Sequence, residues 1–168
     1  MIRPCRFYPN PETAADNTFQ QSTSELDRQE LCARACQEFD NVVAVLRDHG
    51  VVVHAIQDSV SSEKPDAVFP NNWISTHADG RIALYPMFSK RRRRERRLDV
   101  VDVLRQYYRV CGMIDYSGYE ATEQYLEGTG SIVLDRINRR AYVSLSQRSH
   151  FAPLQQFCAD FSLDPGIF

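Results

Sequence analysis

The pattern that most constrains this chain is a pair of hairpin signals, each followed by a helical pattern. The first hairpin has extended runs at 67–76 and 81–86 around the turn Ala78-Asp79-Gly80. The second has runs at 131–136 and 141–145 around the turn that spans Ile137 to Arg140. Short apolar runs on both sides of polar turn residues are typical of β-hairpins. The hairpins lie about 60 residues apart, and this spacing indicates a repeated supersecondary unit.

Apolar residues at helical spacing follow both hairpins. We predict helices at about 95–110 and 152–161, with a strand at 113–116 that completes the first unit. Upstream, a helix is predicted from the cap Ser24 to His49, followed by a buried strand over the apolar run from Val51 to Ile56. The second unit reaches Leu163 to Phe168 where its last strand should begin, so we expect the chain to end within a unit. The fold class is therefore α/β, with hairpin, helix and strand as the unit.

Composition excludes several classes of protein. With 168 residues, of which 43% are hydrophobic and 11% aromatic, the chain can bury a core, unlike a disordered segment or a disulfide-dense mini-protein. Its apolar runs fall far short of the roughly 20 residues of a membrane span, and its N-terminus lacks the apolar centre of a signal peptide. We therefore expect a cytoplasmic protein without membrane contact.

The five cysteines fit that compartment, because an odd number favours reduced thiols over a disulfide framework. Cys32 and Cys36 lie four residues apart on the predicted helix. No second cysteine or histidine pair follows at zinc-finger spacing, so we expect these thiols to lie on a helix face and to bind no metal.

A dense basic run, KRRRRERR, occupies residues 90–97. The run carries a charge of +6 in a chain of net charge −2, so the remainder is acidic, at −8. Nucleic-acid binding is one interpretation. However, aromatic residues do not alternate with the arginines, and no other segment extends a basic groove. We favour arginines in the first turn of the following helix or just before it, and we keep a binding protein that uses residues 90–97 as an alternative.

General catalytic patterns are missing from the sequence. It has no glycine-rich phosphate loop, no GxSxG motif and no histidine pair at metal spacing. The better candidates are polar loop segments at 70–73, 127–130 and 146–149, because functional residues are concentrated on loops.

Those loops belong to four ordered segments, RPCRFYPNPETAADNTFQ, DAVFPNNW, LEGTG and SLSQR. In order and spacing these segments resemble the guanidino-group-modifying superfamily, which includes amidinotransferases and arginine deiminases. Within it they resemble the citrulline-utilisation hydrolases. The resemblance implies a pentein, an α/β propeller of five ββαβ units around a central active site. Residues 1–168 would then be a partial domain of about three units that lacks the C-terminal ones.

The resemblance also implies the chemistry. Members attack a guanidino or ureido carbon with a cysteine nucleophile and a histidine acid–base, without a metal or another cofactor. Glu127 matches the acidic residue that orients the catalytic histidine, since a carboxylate fixes the imidazole tautomer. Arg148 matches the arginine that binds the substrate α-carboxylate, and Arg92 is the best match for its partner, because a guanidinium fork suits a carboxylate.

Asn72 departs from the pattern of the related enzymes. Deiminases and dimethylarginine hydrolases place an aspartate there, whose charge pairs with a guanidinium cation. A neutral amide makes no ion pair, but it both donates to and accepts from a neutral ureido group. The sequence therefore predicts that citrulline is preferred over arginine.

In the family pattern the catalytic histidine and cysteine come after Phe168, so we expect no turnover by the chain alone. No role is assigned to His150. None of the chain's cysteines matches the nucleophile: Cys5, Cys32, Cys36, Cys111 and Cys158. Three hypotheses stay open: a truncated hydrolase that binds citrulline or an arginine-like substrate, one half of a complemented enzyme, and the binding protein described above. Unpaired strand edges of an open propeller also predict self-association through the truncated face.

Overall fold

The computed structural model describes residues 1–12, 25–59 and 63–168. These residues form two compact units, Met1–Pro70 and Asn71–Phe168. Within the described ranges, no helix is both long enough and apolar enough to cross a membrane. The predicted helix cap Ser24 lies outside them.

The first unit contains a strand, a long helix and a second strand. Strand β1 (Ile2–Arg3) and strand β2 (Ile56–Gln57) are parallel, with Ile2 opposite Ile56, and helix α1 (Glu25–Asp48) connects them. The guanidinium of Arg3 donates to both carboxylate oxygens of Asp40 on α1, each at 2.7 Å. This two-point ion pair fixes the helix against the strand, and burial of Ile2 and Val43 adds an apolar contribution.

The prediction of a buried strand over Val51 to Ile56 is wrong for most of its length. Only Ile56 and Gln57 form a strand, while Val51 is 47% exposed and Val52 is 74% exposed. A strand needs a partner for its backbone groups, and β1 supplies only two residues for pairing. The β-propensity of three consecutive valines does not replace that missing partner.

The second unit contains two sheets of the same construction, which confirms the predicted repeat. In the first, β3 (Ile74–Thr76) and β4 (Arg81–Leu84) form a hairpin, and β5 (Gly112–Asp115) joins β4 in parallel. Helix α2 (Leu98–Tyr107) connects β4 to β5. Two of the predicted boundaries are wrong, because α2 begins at Leu98 rather than near residue 95, and 67–73 forms turns instead of strand.

The second sheet follows a one-turn helix, α3 (Gly128–Ser131). Its hairpin consists of β6 (Ile132–Asp135) and β7 (Arg140–Val143), and helix α4 (Phe151–Phe161) leads to β8 (Asp164–Ile167), which pairs with β7 in parallel. The expectation that the chain ends within a unit is therefore wrong, since residues 164–167 already form the last strand of this one.

The core of the second unit lies between its two sheets and α4. Buried members come from every layer: Ala83, Tyr85, Tyr116, Leu126, Ile132, Ala141, Val143, Leu154, Phe157, Cys158 and Phe161. The ring of Phe157 on α4 lies at the centre, 5.7 Å from that of Tyr85 and 4.9 Å from that of Phe161. Aromatic burial of this kind supplies most of the apolar area in a small core.

Candidate functional site

All four residues that the sequence singled out meet at one buried carboxylate. Glu127 is 2% exposed. Its Oε2 lies 3.5 Å from Asn72 Nδ2, 3.6 Å from Arg148 Nη1 and 3.8 Å from Arg92 Nη1. We refer to Asn72, Arg92, Glu127 and Arg148 as the Glu127 cluster. The structure thus brings together residues from four separate loops.

Main-chain hydrogen bonds hold the segment that carries Glu127. On one side, Leu126 N donates to Pro86 O at 3.2 Å, in the loop after β4. On the other side, Leu126 bridges to Ser149, and His150 N donates to Tyr125 O at 2.8 Å, in the loop after β7. Residues 125–127 therefore lie between the ends of the two hairpins, which is where the repeated unit brings its loops together.

Two glycines after Glu127 allow the Asn71–Asn72 segment to approach. Gly128 has φ +42°, and a Cβ there would lie 2.3 Å from Asn71 O. A Cβ on Gly130 would lie 2.2 Å from Asn72 Nδ2. Both separations are far below van der Waals contact. Only glycine fits at position 128, where φ is positive and the nearest atom belongs to the backbone, whereas a side chain at position 130 would displace that of Asn72. The motif LEGTG therefore has a steric reason for its two glycines.

Arg92 is the buried cation of the cluster, at 5% exposure. Its Nε and Nη2 donate to the carboxylate of Glu95 at 3.1 and 3.0 Å, and its Nη1 faces Glu127. Ser89 begins this turn by accepting a hydrogen bond from Arg92 N at 3.3 Å. Two arginines and two glutamates thus stand together, and their formal charges balance. Such balance is what keeps buried ions from destabilising a fold.

Arg148 occupies the solvent side of the cluster, with 23% of its side chain exposed. Its guanidinium carbon lies 5.7 Å from the centre of the Phe88 ring. The stacked geometry orients the fork while leaving part of it accessible. Arg148 is therefore the member best suited to meet an anionic group that arrives from solvent.

The basic run is mostly folded into the protein. Within residues 90–97, only Lys90 and Arg94 are exposed. Arg92, Arg93 and Arg96 form ion pairs with glutamates, and Arg97 pairs with Asp99. The arginines also precede α2 rather than forming its first turn. This geometry counts against the nucleic-acid interpretation, since charges paired with carboxylates do not serve a phosphate backbone.

His150, Cys32 and Cys36 have hydrogen-bond partners that suit a structural role. His150 Nδ1 accepts a hydrogen bond from Tyr125 N at 3.0 Å, and this bond ties the ring to the loop that it supports. Cys32 and Cys36 donate to the carbonyls of Cys5 and Pro4, each at 3.3 Å. In the part of the chain that the structure describes, no group of three or more metal-ligating side chains could hold a metal ion.

Tyr85 and His77 are two titratable side chains of the core that Ser75 links. Ser75 Oγ is 2.7 Å from Tyr85 Oη and 2.8 Å from His77 Nε2. Burial raises the pKa of Tyr85, although the hydrogen bond from Ser75 opposes that effect. Burial, with a contribution from Arg136, lowers the pKa of His77 to about 4. His77 is therefore a neutral ring at physiological pH, stacked on Phe161 with centroids 3.8 Å apart.

Sequence reasoning missed the residues that support the cluster from behind. Phe88 N donates to Glu127 Oε1 at 3.2 Å, and the next amide along, Met87 N, donates to Glu120 Oε1 at 2.8 Å. Glu120 also pairs with Arg93 and Arg96. No spacing rule links Glu120 to arginines more than twenty positions away. The one available signal was the basic run itself, whose density implied carboxylate partners elsewhere in an acidic chain.

Comparison with known proteins places the chain in a family. Residues 3–167 match the sequence profile of the family described as N,N dimethylarginine dimethylhydrolase, eukaryotic. A search of curated protein sequences gave no match. Among solved structures, the chain is similar to a dimethylarginine dimethylaminohydrolase in adduct with S-methyl-L-thiocitrulline, with 16% identity and a TM-score of 0.60. That alignment covers 82% of this chain and 50% of the other.

Two further structures have the same fold. The N-terminal domain of ArgZ, an arginine dihydrolase from cyanobacteria, aligns with a TM-score of 0.67 at 15% identity, over 99% of this chain and 55% of that domain. AgrE in complex with ornithine and NAD⁺ aligns with a TM-score of 0.66 at 19% identity, over 100% of this chain and 22% of AgrE. The chain thus spans about half the length of the first two proteins. At these identities the likeness shows the fold, an α/β fold with mixed sheets, while the match over 3–167 shows that the chain belongs to the eukaryotic N,N dimethylarginine dimethylhydrolase family, within the guanidino-group-modifying superfamily.

Proposed function

We propose that this chain supplies the substrate-binding part of a hydrolase that acts at the guanidino or ureido carbon of an arginine-like amino acid, with citrulline favoured over arginine. The observation that carries the proposal is the convergence of Asn72, Arg92 and Arg148 on the carboxylate of Glu127. The family match supports the reaction class. In this scheme the two sheets of the second unit are blades of a five-unit propeller that surrounds the site.

Arg148 binds the α-carboxylate of the amino acid. It is the partly exposed arginine of the cluster, and it stands 3.6 Å from Glu127, beyond ordinary hydrogen-bond distance. An incoming carboxylate offers two oxygens to its fork at lower cost than a fully buried arginine would require. Arg92 acts as its partner from the buried side, where Glu95 holds its orientation.

Asn72 sets the preference for a ureido group. Its Nδ2 points towards Glu127, and an aspartate in its place would bring a second carboxylate to the same 3.5 Å separation. The neutral amide avoids that repulsion and pairs with a neutral ureido group by donating and accepting. A guanidinium would find no matching charge at this position, so arginine is the second choice.

Glu127 orients the catalytic histidine of the complete enzyme. Its Oε1 is fixed by the amide of Phe88, and its buried Oε2 faces the donors of the cluster. A carboxylate held in this way selects one imidazole tautomer and stabilises the imidazolium that forms during turnover.

The chain by itself does not turn over substrate in this proposal. Burial, followed by the charge of Asp164, raises the pKa of the Cys158 thiol to about 11. Burial, followed by the neighbouring Cys32, raises the pKa of Cys36. A cysteine nucleophile requires a lowered pKa, so these two thiols are unsuited to the reaction.

Titration of the chain with L-citrulline and with L-arginine, followed by amide chemical shifts, tests the proposal. We expect citrulline to bind more tightly and to shift resonances of Asn72, Glu127 and Arg148. The variant Asn72→Asp should move the affinity ratio towards arginine by about tenfold or more, because a hydrogen bond to a charged group contributes about 1.5–3 kcal/mol.

Asn41→Asp is the matched control, since it adds the same charge on the exposed surface of α1. The control should leave the ratio unchanged. Tighter binding of arginine by the unmodified chain contradicts the citrulline preference, and no binding of either amino acid contradicts the proposed site. Release of ammonia from either compound by the chain alone contradicts its inactivity.

One half of a complemented enzyme is the second candidate function. The observation that favours it is length, because the chain spans 50% and 55% of two similar solved chains. Ammonia release only after addition of a second polypeptide with the missing histidine and cysteine is the expected result for this candidate.

A further inference from the structure

Two consecutive main-chain amides donate to two different buried glutamates. Met87 N donates to Glu120 Oε1 at 2.8 Å, and Phe88 N donates to Glu127 Oε1 at 3.2 Å. Met87 is fully buried. The two N–H groups belong to neighbouring peptide planes that meet at the Cα of Met87. The positions of Glu120 and Glu127 are therefore linked through a single stretch of backbone.

Two arginines of the basic run complete the support on the Glu120 side. Arg96 Nη2 lies 3.0 Å from Glu120 Oε2, and Arg93 Nε lies 3.3 Å from the same oxygen. The side chains are 17% and 24% exposed, and that of Glu120 is 12% exposed. Ion pairs that are largely removed from water and hydrogen-bonded at both ends are rigid.

The same arginines also hold the carbonyls of this backbone stretch. Arg96 Nη1 donates to Tyr85 O at 3.2 Å, and Arg93 Nε donates to Met87 O at 2.9 Å. We call Glu120, Arg93 and Arg96 the Glu120 frame. The amides of residues 87 and 88 and the carbonyls of residues 85–87 therefore all have hydrogen-bond partners. The Glu120 frame, Glu127 and Leu126 supply these partners.

We propose that Glu120 is a positioning residue for Glu127. The frame sets the direction of the Phe88 N–H, and this N–H holds Oε1 of Glu127, so that Oε2 is presented to Asn72 and Arg148. Arg93 and Arg96 of the basic run thereby support the site. The role given to Glu120 rests on the proposed function. The test of that role needs no ligand, so a failure to bind citrulline or arginine would not change its outcome.

The test compares amide proton chemical shifts of the full chain at one pH. An amide proton that donates to a carboxylate moves downfield, because such charge-assisted hydrogen bonds are short and strong. Glu127→Gln replaces that acceptor by a neutral amide, so the change that it causes in the Phe88 amide shift identifies the hydrogen bond. In Glu120→Gln, which weakens the frame without changing its shape, the Phe88 amide should move in the same direction by most of that amount.

Glu123→Gln is the matched control, because it makes the same change on an exposed side chain three residues away. This variant should leave the Phe88 amide shift unchanged. A purely structural role for Glu120 predicts shifts spread through the unit, including the β4 amide of Ile82, whereas positioning predicts an effect concentrated at residues 87 and 88. An unchanged Phe88 amide shift in Glu120→Gln overturns the proposal.

A second variant keeps the proposal testable if Glu120→Gln does not fold. Arg96→Lys retains the charge but loses the fork that joins Glu120 to Tyr85 O. We expect a folded protein in which the Phe88 amide moves in the same direction as in Glu127→Gln. An unchanged Phe88 amide shift in folded Arg96→Lys also overturns the proposal.

Discussion

At the scale of single residues, the site depends on its glycines as much as on its polar side chains. The Cβ of an alanine at position 130 would lie 2.2 Å from Asn72 Nδ2 and 2.9 Å from Asn72 Cγ. Gly130→Ala should therefore displace Asn72 from Glu127 and destabilise the protein by about 1–3 kcal/mol, as overpacking of a well-packed site does. Urea unfolding measures the loss.

Gly118, in the 3₁₀ turn Ser117–Thr122, provides the control for Gly130→Ala. No atom lies within 4 Å of a Cβ placed on Gly118. Gly118→Ala should leave the free energy of unfolding within about 0.5 kcal/mol of its original value, as at an ordinary surface position. Equal destabilisation by both variants would contradict the steric explanation.

Another single residue, His77, gives the stability a pH dependence. Its pKa is about 4 in the folded protein, against 6.5 for an unperturbed histidine. Between these pH values the unfolded chain binds more protons than the folded one, so the free energy of unfolding falls as the pH decreases from 6.5 towards 4. Urea unfolding at pH 7 and pH 5 should show this decrease, and His77→Gln should reduce it.

His49→Gln is the comparison for His77, since it removes a histidine from the exposed end of α1. This variant controls for the loss of a histidine as such. If His77→Gln retains the full decrease between pH 7 and pH 5, then other groups cause it.

At the scale of elements, α4 holds the two sheets of the second unit together. Phe157 is fully buried, and its ring contacts rings from the region of the first sheet and from its own helix: His77, Tyr85, Tyr116 and Phe161. Three residues of the second sheet belong to the same buried cluster: Ile132, Ala141 and Val143. Phe157→Ala should cost about 3–5 kcal/mol in the free energy of unfolding, the range for a buried phenylalanine. Chemical denaturation measures that cost.

The first residue of the same helix is the control, because Phe151 is 48% exposed. Phe151→Ala makes the same chemical change and should cost far less than Phe157→Ala. Similar losses at both positions would contradict the packing explanation, because alanine is the better helix former and neither substitution lowers helix propensity.

The helices and strands also differ in how well the sequence predicts them. Both hairpins and helices α2 and α4 were predictable, because turn residues and apolar spacing are local signals. The apolar run after Gly50 was misassigned, since strand formation depends on a partner elsewhere in the chain. At the site, the family resemblance predicted the members of the Glu127 cluster, but the pairing of Glu120 with Arg96 has no local signal at all.

At the scale of the whole molecule, the chain combines a complete pair of sheets with about half the length of two similar solved chains. The α/β fold with mixed sheets is shared with these proteins, and the second unit contains the full hairpin, helix and strand of both repeats.

The sheet edges of the second unit lead us to predict self-association. Strand β6 lies at one edge of its sheet, and its Val133 is 67% exposed, while Ile137 at the hairpin tip is 93% exposed. An exposed edge with apolar side chains offers unpaired backbone groups to another copy of the chain. Sedimentation equilibrium should give a mass that rises with concentration.

Val133→Lys should lower that mass, because a lysine on an edge strand opposes pairing. Ser144→Lys adds the same charge at an exposed position outside β6 and should have little effect. A constant monomer mass at all concentrations contradicts the prediction, and equal effects of the two lysines would assign the association to net charge instead of to the β6 edge.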